Sequence, residues 1–490
     1  MTETLTDLFC GAGGSGQGAH HVPGLELAMA ANHWARAIAT HQANFPEVDH
    51  DCADISQVEP RRYPRTSILW ASPECTKHSG ARGRKRAAAQ LGLFGNEAER
   101  DPGAERSRAT MWDVPRFAEY HDYRAIVVEN VVEVVRWSMF PAWLLAMDCL
   151  GYRHRIVWAN SMHFPTEAGP RAPQSRDRIY IVFWKVAQPA PDLDLRPSAW
   201  CEPCGQDVEA VQSWKRPDRA PWGRYRTQYL YRCPNSACRF SVVEPHALPA
   251  ASVIDWSLRG QRIGDRVEPL ADNTMARIRV GLARFASAPL LVPDEGRAGK
   301  HARPADLPLR TQTTRNETAL LVPAGGTWHE PAAPVSAPFR TRTTTESEAL
   351  VVPYYGTGVA RPVGEPLPTQ STRDRFGVAF IAELRGGGST ARPVAQPLAT
   401  VTASGNHHGL VQTRPVDTAM STAAGAPVVE DCTFRMLEPR EIAAAMAFGP
   451  TYQVLGSKRD QVRQLGNAVT PPAAEWLLRA VVASLNGGAA

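Results

Sequence analysis

Apolar positions along the chain follow two regimes. Up to about residue 187, short unbroken apolar runs alternate with stretches of helical spacing. Residues 5–9, 25–31, 67–71 (SILWA), 125–129 (AIVVE) and 179–183 (IYIVF) are such runs. Four to eight continuous apolar residues bounded by turn residues suit a strand covered on both faces. Residues 34–44 and 140–150 have the spacing of helices. Strands alternating with helices predict an α/β fold with a parallel, doubly wound, Rossmann-like sheet.

Beyond residue 187 the helical period fades and prolines accumulate, 41 in the whole chain. An internal repeat occupies roughly 265–425. Pro308-Leu309 heads RTQTT and then ALLVP; Pro338-Phe339 heads RTRTT and then ALVVP; Pro366-Leu367 and Pro397-Leu398 head looser copies. A fixed period implies one supersecondary unit used several times. Thr- and Val-rich runs bounded by Gly and Pro make each unit a hairpin candidate, against the alternative of a proline-rich linker. Helical spacing returns at 438–448 and 472–485. The expected organisation is a catalytic and cofactor-binding part at 1–187, a ribbon-like segment at 188–260, a repeated β-rich region at 261–430, and a closing part of the catalytic domain at 431–490.

The 490 residues carry 54 basic and 49 acidic side chains, a net charge of +5 that does not by itself indicate a nucleic-acid partner. A 43% hydrophobic content argues against global disorder. No apolar run approaches the roughly 20 residues of a membrane span. The start MTETLTDLF has no secretory pattern, so an intracellular, cytoplasmic location is expected, with no membrane partner. Nine cysteines, an odd and scattered set, suit reduced thiols rather than a secreted disulfide framework.

Four segments concentrate chemistry. DLFCGAGGSG (7–16) runs from a strand into a glycine turn, where a nucleotide-type cofactor can approach backbone; a plain turn is the competing reading. ASPECTKHS (71–79) places Cys75 just after a buried strand, followed by Lys77, His78, Arg82, Arg84, Lys85 and Arg86. A positive field favours the nucleophilic thiolate. Glu129, in ENV (129–131), ends an apolar strand and is a candidate general acid. QSRDR (174–178) sets Arg176 and Arg178 two apart, on one face if extended.

In order and spacing these segments resemble the cytosine-C5 DNA methyltransferase family of bacterial or phage type. RMLEPRE (435–441) resembles the family's ninth motif, and QLGNAV (464–469) its last. The resemblance covers about 4–185 and 433–485, and the insert between takes the place of the target-recognition domain. It implies S-adenosylmethionine as cofactor, held by Asp7, Phe9, Gly11, Gly13, Gly14, His33, Trp34, Asp54, Asn467 and Val469. It implies Cys75 as nucleophile at cytosine C6, Glu129 at N3, and Arg178 with Arg176 at the base oxygen. Double-stranded DNA is the implied substrate, its cytosine flipped out of the stack, and a cognate restriction endonuclease an implied partner. Two departures stand out. Glu74 and Thr76 flank Cys75 where the family has proline and glutamine, and His33 stands where the family has a ribose-binding acid. A catalytically silent DNA-binding relative and an RNA cytosine methyltransferase are the alternative readings.

Within the insert, Cys201-x2-Cys204 and Cys233-x4-Cys238 match a four-thiolate zinc ribbon. Arg216, Arg219, Arg224, Arg226 and Arg232 alternate there with Trp214, Trp222, Tyr225, Tyr229 and Tyr231, a pattern expected of a nucleic-acid surface.

Overall fold

The computed structural model describes residues 2–73, 110–258, 260–272, 274–276, 278–279, 290–293, 303–304, 318–321, 350–353, 361–362, 376–383, 391–394, 396–400, 408–412 and 429–487. Cys75, Glu74, Thr76 and the basic loop after them lie outside these residues. The chain divides into two compact units, one made of 1–248, 399–406 and 438–490, the other of 249–398 and 407–437.

The first unit is built on seven strands: β1 (Glu3–Leu8), β2 (Leu25–Asn32), β3 (Asp49–Cys52), β4 (Ile68–Ala71), β5 (Ala125–Asn130), β6 (Tyr152–Asn160) and β7 (Asp177–Lys185). They pair in the order β3-β2-β1-β4-β5-β7-β6. The first five run parallel, whereas β7 runs antiparallel to both β5 and β6. The sheet is therefore mixed, not wholly parallel as expected. A parallel return needs a long crossover, usually a helix. Residues 161–176 hold no crossover helix, only the short 3-10 turn Ser161–His163, the two-residue strand Gln174–Ser175 and three prolines. The chain consequently folds back beside β6, with Asn160 opposite Asp177.

Helices α1 (Gly14–His20), α2 (Ala35–Asn44), α3 (Asp113–His121) and α4 (Phe140–Cys149) connect the strands. The returning chain adds α5 (Pro439–Ala445), α6 (Lys458–Asn467) and α7 (Pro471–Leu485). One face of the sheet, including Leu5, Ile68, Trp70, Val127 and Val182, shares a core with Leu477, Leu478 and Val481 of α7. The contact of α1 with α7 depends on Gly18: a β-carbon there would lie 2.6 Å from that of Ala474. The opposite face, including Leu8, Leu69, Val128 and Ile181, is covered by α3 and α4 through Val114, Phe117, Phe140 and Trp143. This makes the α/β body doubly wound.

Residues 198–243 form a hairpin (Ser198–Cys201 with Gln206–Glu209) and a three-stranded sheet (Val211–Trp214, Tyr229–Arg232, Val242–Val243). In the second unit, Leu350–Pro353, Phe376–Glu383, His408–Gln412 and Thr433–Met436 pair successively antiparallel. Leu290–Pro293 pairs with Thr318–Leu321. The apolar runs of the repeat are thus strands, and Arg303–Pro304 and Arg361–Pro362 each pair back on the strand before them.

Candidate active site

Every parallel strand that carries a sequence motif ends at the same edge of the sheet. Leu8 is in register with Ala31 on one side and Ala71 on the other, and Ala71 with Val128. The residues that follow these positions, 9–14, 32–34, 72–73 and 129–131, therefore emerge together, as open α/β sheets place their ligand sites. Because β7 is antiparallel, its beginning reaches this edge too: Asn130 lies opposite Ile179.

Here Glu129 and Arg178 meet. Arg178 Nε lies 2.8 Å from Glu129 Oε1, with both side chains mostly buried. A second arginine contact fixes the guanidinium, as Nη1 donates to the Asp177 carbonyl at 2.8 Å. Asn130 ties the neighbouring loop to this point: its Nδ2 donates to the Pro73 carbonyl at 3.3 Å, and its Oδ1 accepts from the Val131 amide at 2.8 Å. Pro73 stands two residues before Cys75 in the sequence.

Arg176 lies elsewhere. It is buried, and its Nη2 donates to the carbonyls of Gly466 and Ala468 at 3.1 and 3.0 Å. It braces the end of α6, where helix carbonyls lack intrahelical partners and a cation is favourable. Two positions apart, the arginines thus find different partners: Arg178 lies within β7, and Arg176 precedes its first residue, Asp177. Asn160, which sequence reasoning did not single out, organises this bend. Its Oδ1 accepts from the Arg176 amide at 3.0 Å, and its Nδ2 donates to Ser175 Oγ and Asp177 Oδ1 at 3.1 and 3.0 Å. No local sequence signal marks it beyond its place at a strand end.

The glycine turn has the conformation that its composition requires. Gly11 and Gly13 have φ of +55° and +84°, and Phe9 itself lies at +61°. Gly14 is needed for a different reason: a β-carbon there would sit 1.9 Å from the Val469 carbonyl oxygen. Val469 thus closes on the turn, and Tyr452 Oη donates to the Ala12 carbonyl at 2.5 Å. Tyr452 is another residue that the sequence did not announce. Beneath the turn, Asp7 is fully buried, and Ser15 Oγ donates to its Oδ2 at 2.6 Å. Burial pushes its carboxyl up to about 7, against the lowering effect of the Ser15 bond. Asp7 Oδ1 is buried without a partner among the described residues. A buried acid with one unmatched oxygen suits a cationic ligand, and the sulfonium of S-adenosylmethionine is one.

The other cofactor candidates lie at the same edge. Asn32 Oδ1 accepts from the Trp34 amide at 2.9 Å, and His33 between them is exposed. The Arg463 guanidinium lies over the Trp34 ring at 4.5 Å. Asp54 is exposed and accepts from the Ser56 amide at 3.2 Å. Asn467 is the exposed last residue of α6. Behind the turn, a histidine pair was also unforeseen: His41 Nδ1 and His50 Nε2 lie 2.8 Å apart.

Cys201, Cys204, Cys233 and Cys238 are brought together, with all four sulfurs within 4.8 Å of one another and no disulfide among them. The tyrosines of this segment do not form the expected stacking surface for nucleic acid, whereas its arginines stay at least partly exposed, four of them beside acidic partners. Tyr225, Tyr229 and Tyr231 are buried, and Trp214 and Trp222 partly so. Arg216 and Arg219 pair with Asp218, Arg224 with Glu133, and Arg226 with Glu244. Strand alternation sends the tyrosines inward, so the aromatic side of the pattern is core.

The profile of the C-5 cytosine-specific DNA methylases matches residues 4–198 and 369–483, well over half of the chain. The type II methyltransferase M.AgeI of Thalassovita gelatinovora is 24% identical over 188 residues, which are 36% of this chain and 38% of that protein. The chain thus spans well under half the length of that relative. Among solved structures, DNMT2 of Spodoptera frugiperda aligns over 98% of this chain and 99% of its own at 11% identity, with a TM-score of 0.46. Dnmt2 of S. pombe aligns over 99% of both at 12% identity, with a TM-score of 0.46. No helix among the described residues is long and apolar enough to cross a membrane. With the profile matched on both sides of the insert, the chain belongs to the C-5 cytosine-specific DNA methylase family.

Proposed function

We propose that this protein transfers a methyl group from S-adenosylmethionine to C5 of a cytosine flipped out of a specific duplex DNA sequence. The observation that carries this reading is the Glu129–Arg178 pair, held at 2.8 Å at the sheet edge where Asn130 also holds Pro73. A carboxyl beside a guanidinium matches the N3 and O2 edge of cytosine, with the loop of Cys75 beginning alongside. Cys75 as thiolate adds to C6, and Glu129 supplies a hydrogen bond or proton at N3. The electron pair displaced from the C5–C6 bond makes C5 nucleophilic. C5 takes the methyl group, then loses its proton to a base as the Cys75–C6 bond breaks, which restores the aromatic ring. Arg178 stabilises the negative charge that develops on the base oxygen. S-adenosylmethionine, when bound, supplies an electrophilic methyl group. Asp7, Phe9, Gly11, Gly13, Gly14, Trp34, Asp54, Asn467 and Val469 are the residues we assign to holding it, with His33 in the place of the family's acid.

The four cysteines fit zinc. A tetrahedral site with Zn–S bonds of about 2.3 Å separates its sulfurs by about 3.8 Å, and the Cys204 and Cys233 sulfurs are 3.9 Å apart. We extend to this chain the type II designation of its relative, with a cognate restriction endonuclease as partner in a bacterial or phage-infected cytoplasm. The insert between the matched segments is assigned to target recognition.

Transfer of labelled methyl from S-adenosylmethionine to mixed duplex DNA, wild type beside Cys75→Ser, tests the reaction. Label at cytosine C5 with wild type alone is the expected result. Label in RNA but not DNA would move the substrate. DNA binding with no label under any condition would make this a silent binder.

A further inference from the structure

One face of the four-cysteine ribbon packs against the α/β body. Trp222 Nε1 donates to the Val132 carbonyl at 3.2 Å, and Arg136 lies over the Trp222 ring at 4.1 Å. Arg224 pairs with Glu133. The Tyr225 amide donates to Asp177 Oδ1 at 3.0 Å. Gln212 Nε2 donates to the Trp158 carbonyl at 2.8 Å, and His163 of the body is met edge-on by Tyr225 and Tyr231 at ring distances of 4.4 and 5.1 Å. Cys201, Cys233, Tyr225, Tyr229 and Tyr231 belong to the same continuous apolar core as Val128, Val132 and Ile179.

These contacts have a direction. Val132 and Glu133 follow Glu129 by three and four residues, and Asp177 adjoins Arg178. The ribbon therefore grips both chain segments that present the Glu129–Arg178 pair. We propose that the metal-held ribbon is a buttress of the base pocket, with Trp222, Arg224 and Tyr225 as positioning residues for Glu129 and Arg178, and that this face of it does not read DNA. The inference rests on the methyl-transfer reading for its kinetic consequence, though not for its structural one.

The structural arm needs no activity. Amide hydrogen exchange of the full chain is compared for wild type and Trp222→Ala, with zinc content measured in both. The variant leaves the four cysteines untouched. Faster exchange at 130–136 and 174–178, with zinc retained near one per chain, is expected. Unchanged exchange in those segments would overturn the buttress. Zinc well below one per chain in wild type would overturn the metal-held part of the proposal. The kinetic arm compares kcat and DNA affinity for Trp222→Ala and Arg224→Ala. A fall in kcat of about 10-fold or more, as expected when a catalytic pair is misplaced, with DNA affinity unchanged, supports positioning. Weaker DNA binding with kcat intact would make the face a DNA contact instead. Rescue of Glu133→Arg by Arg224→Glu would confirm that the pair acts through its geometry. If wild type transfers no methyl group to any substrate, the functional reading fails while the exchange result still stands.

Discussion

Glu129 and Arg178 lie on neighbouring antiparallel strands, and their side chains meet at 2.8 Å, largely out of solvent. Neither strand alone would bring them together. The antiparallel insertion of β7 beside β5 delivers the start of one strand to the end of the other. Each charge depends on its partner, because removing one from a mostly buried pair leaves the other unpaired. Glu129→Gln keeps the shape and removes the charge. It should lower methyl transfer by about 10²–10⁴-fold, while Arg178→Ala should cost on the order of 3 kcal/mol of stability as well. Initial rates and thermal unfolding of the two variants check this.

Gly14→Ala should separate the two halves of the cofactor turn. The new β-carbon would meet backbone at 1.9 Å, and a carbonyl oxygen cannot swing aside as a side chain can. We expect a loss of about 1–3 kcal/mol of stability from overpacking, together with weakened S-adenosylmethionine binding by calorimetry. Gly24→Ala, a turn glycine with open space around it but φ of +76°, is the control for backbone strain alone.

Asp7 makes stability depend on pH in a defined sense. Its carboxyl is raised from 3.8 to about 7 by burial, so the folded state holds the proton more tightly than the unfolded state. Between about pH 4 and 7 stability therefore falls as pH rises, and above 7 the full penalty remains. Asp7→Asn retains an acceptor for Ser15 and removes the penalty. Its stability advantage over wild type should grow from near zero at pH 4 to on the order of 4 kcal/mol at pH 8. An advantage that does not change with pH would sink this account.

His41 and His163 act in the opposite direction. Burial, with His50 beside the first and Arg226 and Arg171 near the second, lowers both to about 3. Their neutral forms are accommodated fully above about pH 6.5. As pH falls from there toward 3, the unfolded state takes up protons that the folded state refuses, and stability is lost. Each histidine should contribute a loss on the order of 3 kcal/mol by pH 4. His163→Leu should flatten its share of the acid limb in unfolding curves recorded from pH 7 to 4.

Much of the active edge was legible in the residues themselves. Residues 5–9, 67–71 and 125–129 are apolar runs ending in chemistry, and their strands end within a residue of the expected positions. β3 (Asp49–Cys52) escaped because its sequence, DHDC, carries no apolar signal and its position at the sheet edge demands none. β6 escaped because its first half alternates charged residues on a partly exposed strand.

What the sequence by itself determined is local: which runs are buried strands, where a glycine turn must bend, and which cysteines are spaced to share an ion. Period and turn chemistry act over a few residues, so they survive without the fold. Which partners those residues find was decided only by the tertiary structure. Arg176 and Arg178 are two positions apart, yet one meets Glu129 and the other the carbonyls of Gly466 and Ala468. The ribbon's tyrosines read as stacking residues of a DNA surface, but packing turns the rings of Tyr225 and Tyr231 inward against His163, and Arg224 pairs with Glu133. The physical reason is the same in each case. Burial and charge pairing are settled between segments tens to hundreds of residues apart, and a pattern along the chain does not carry the identity of the surface it will meet.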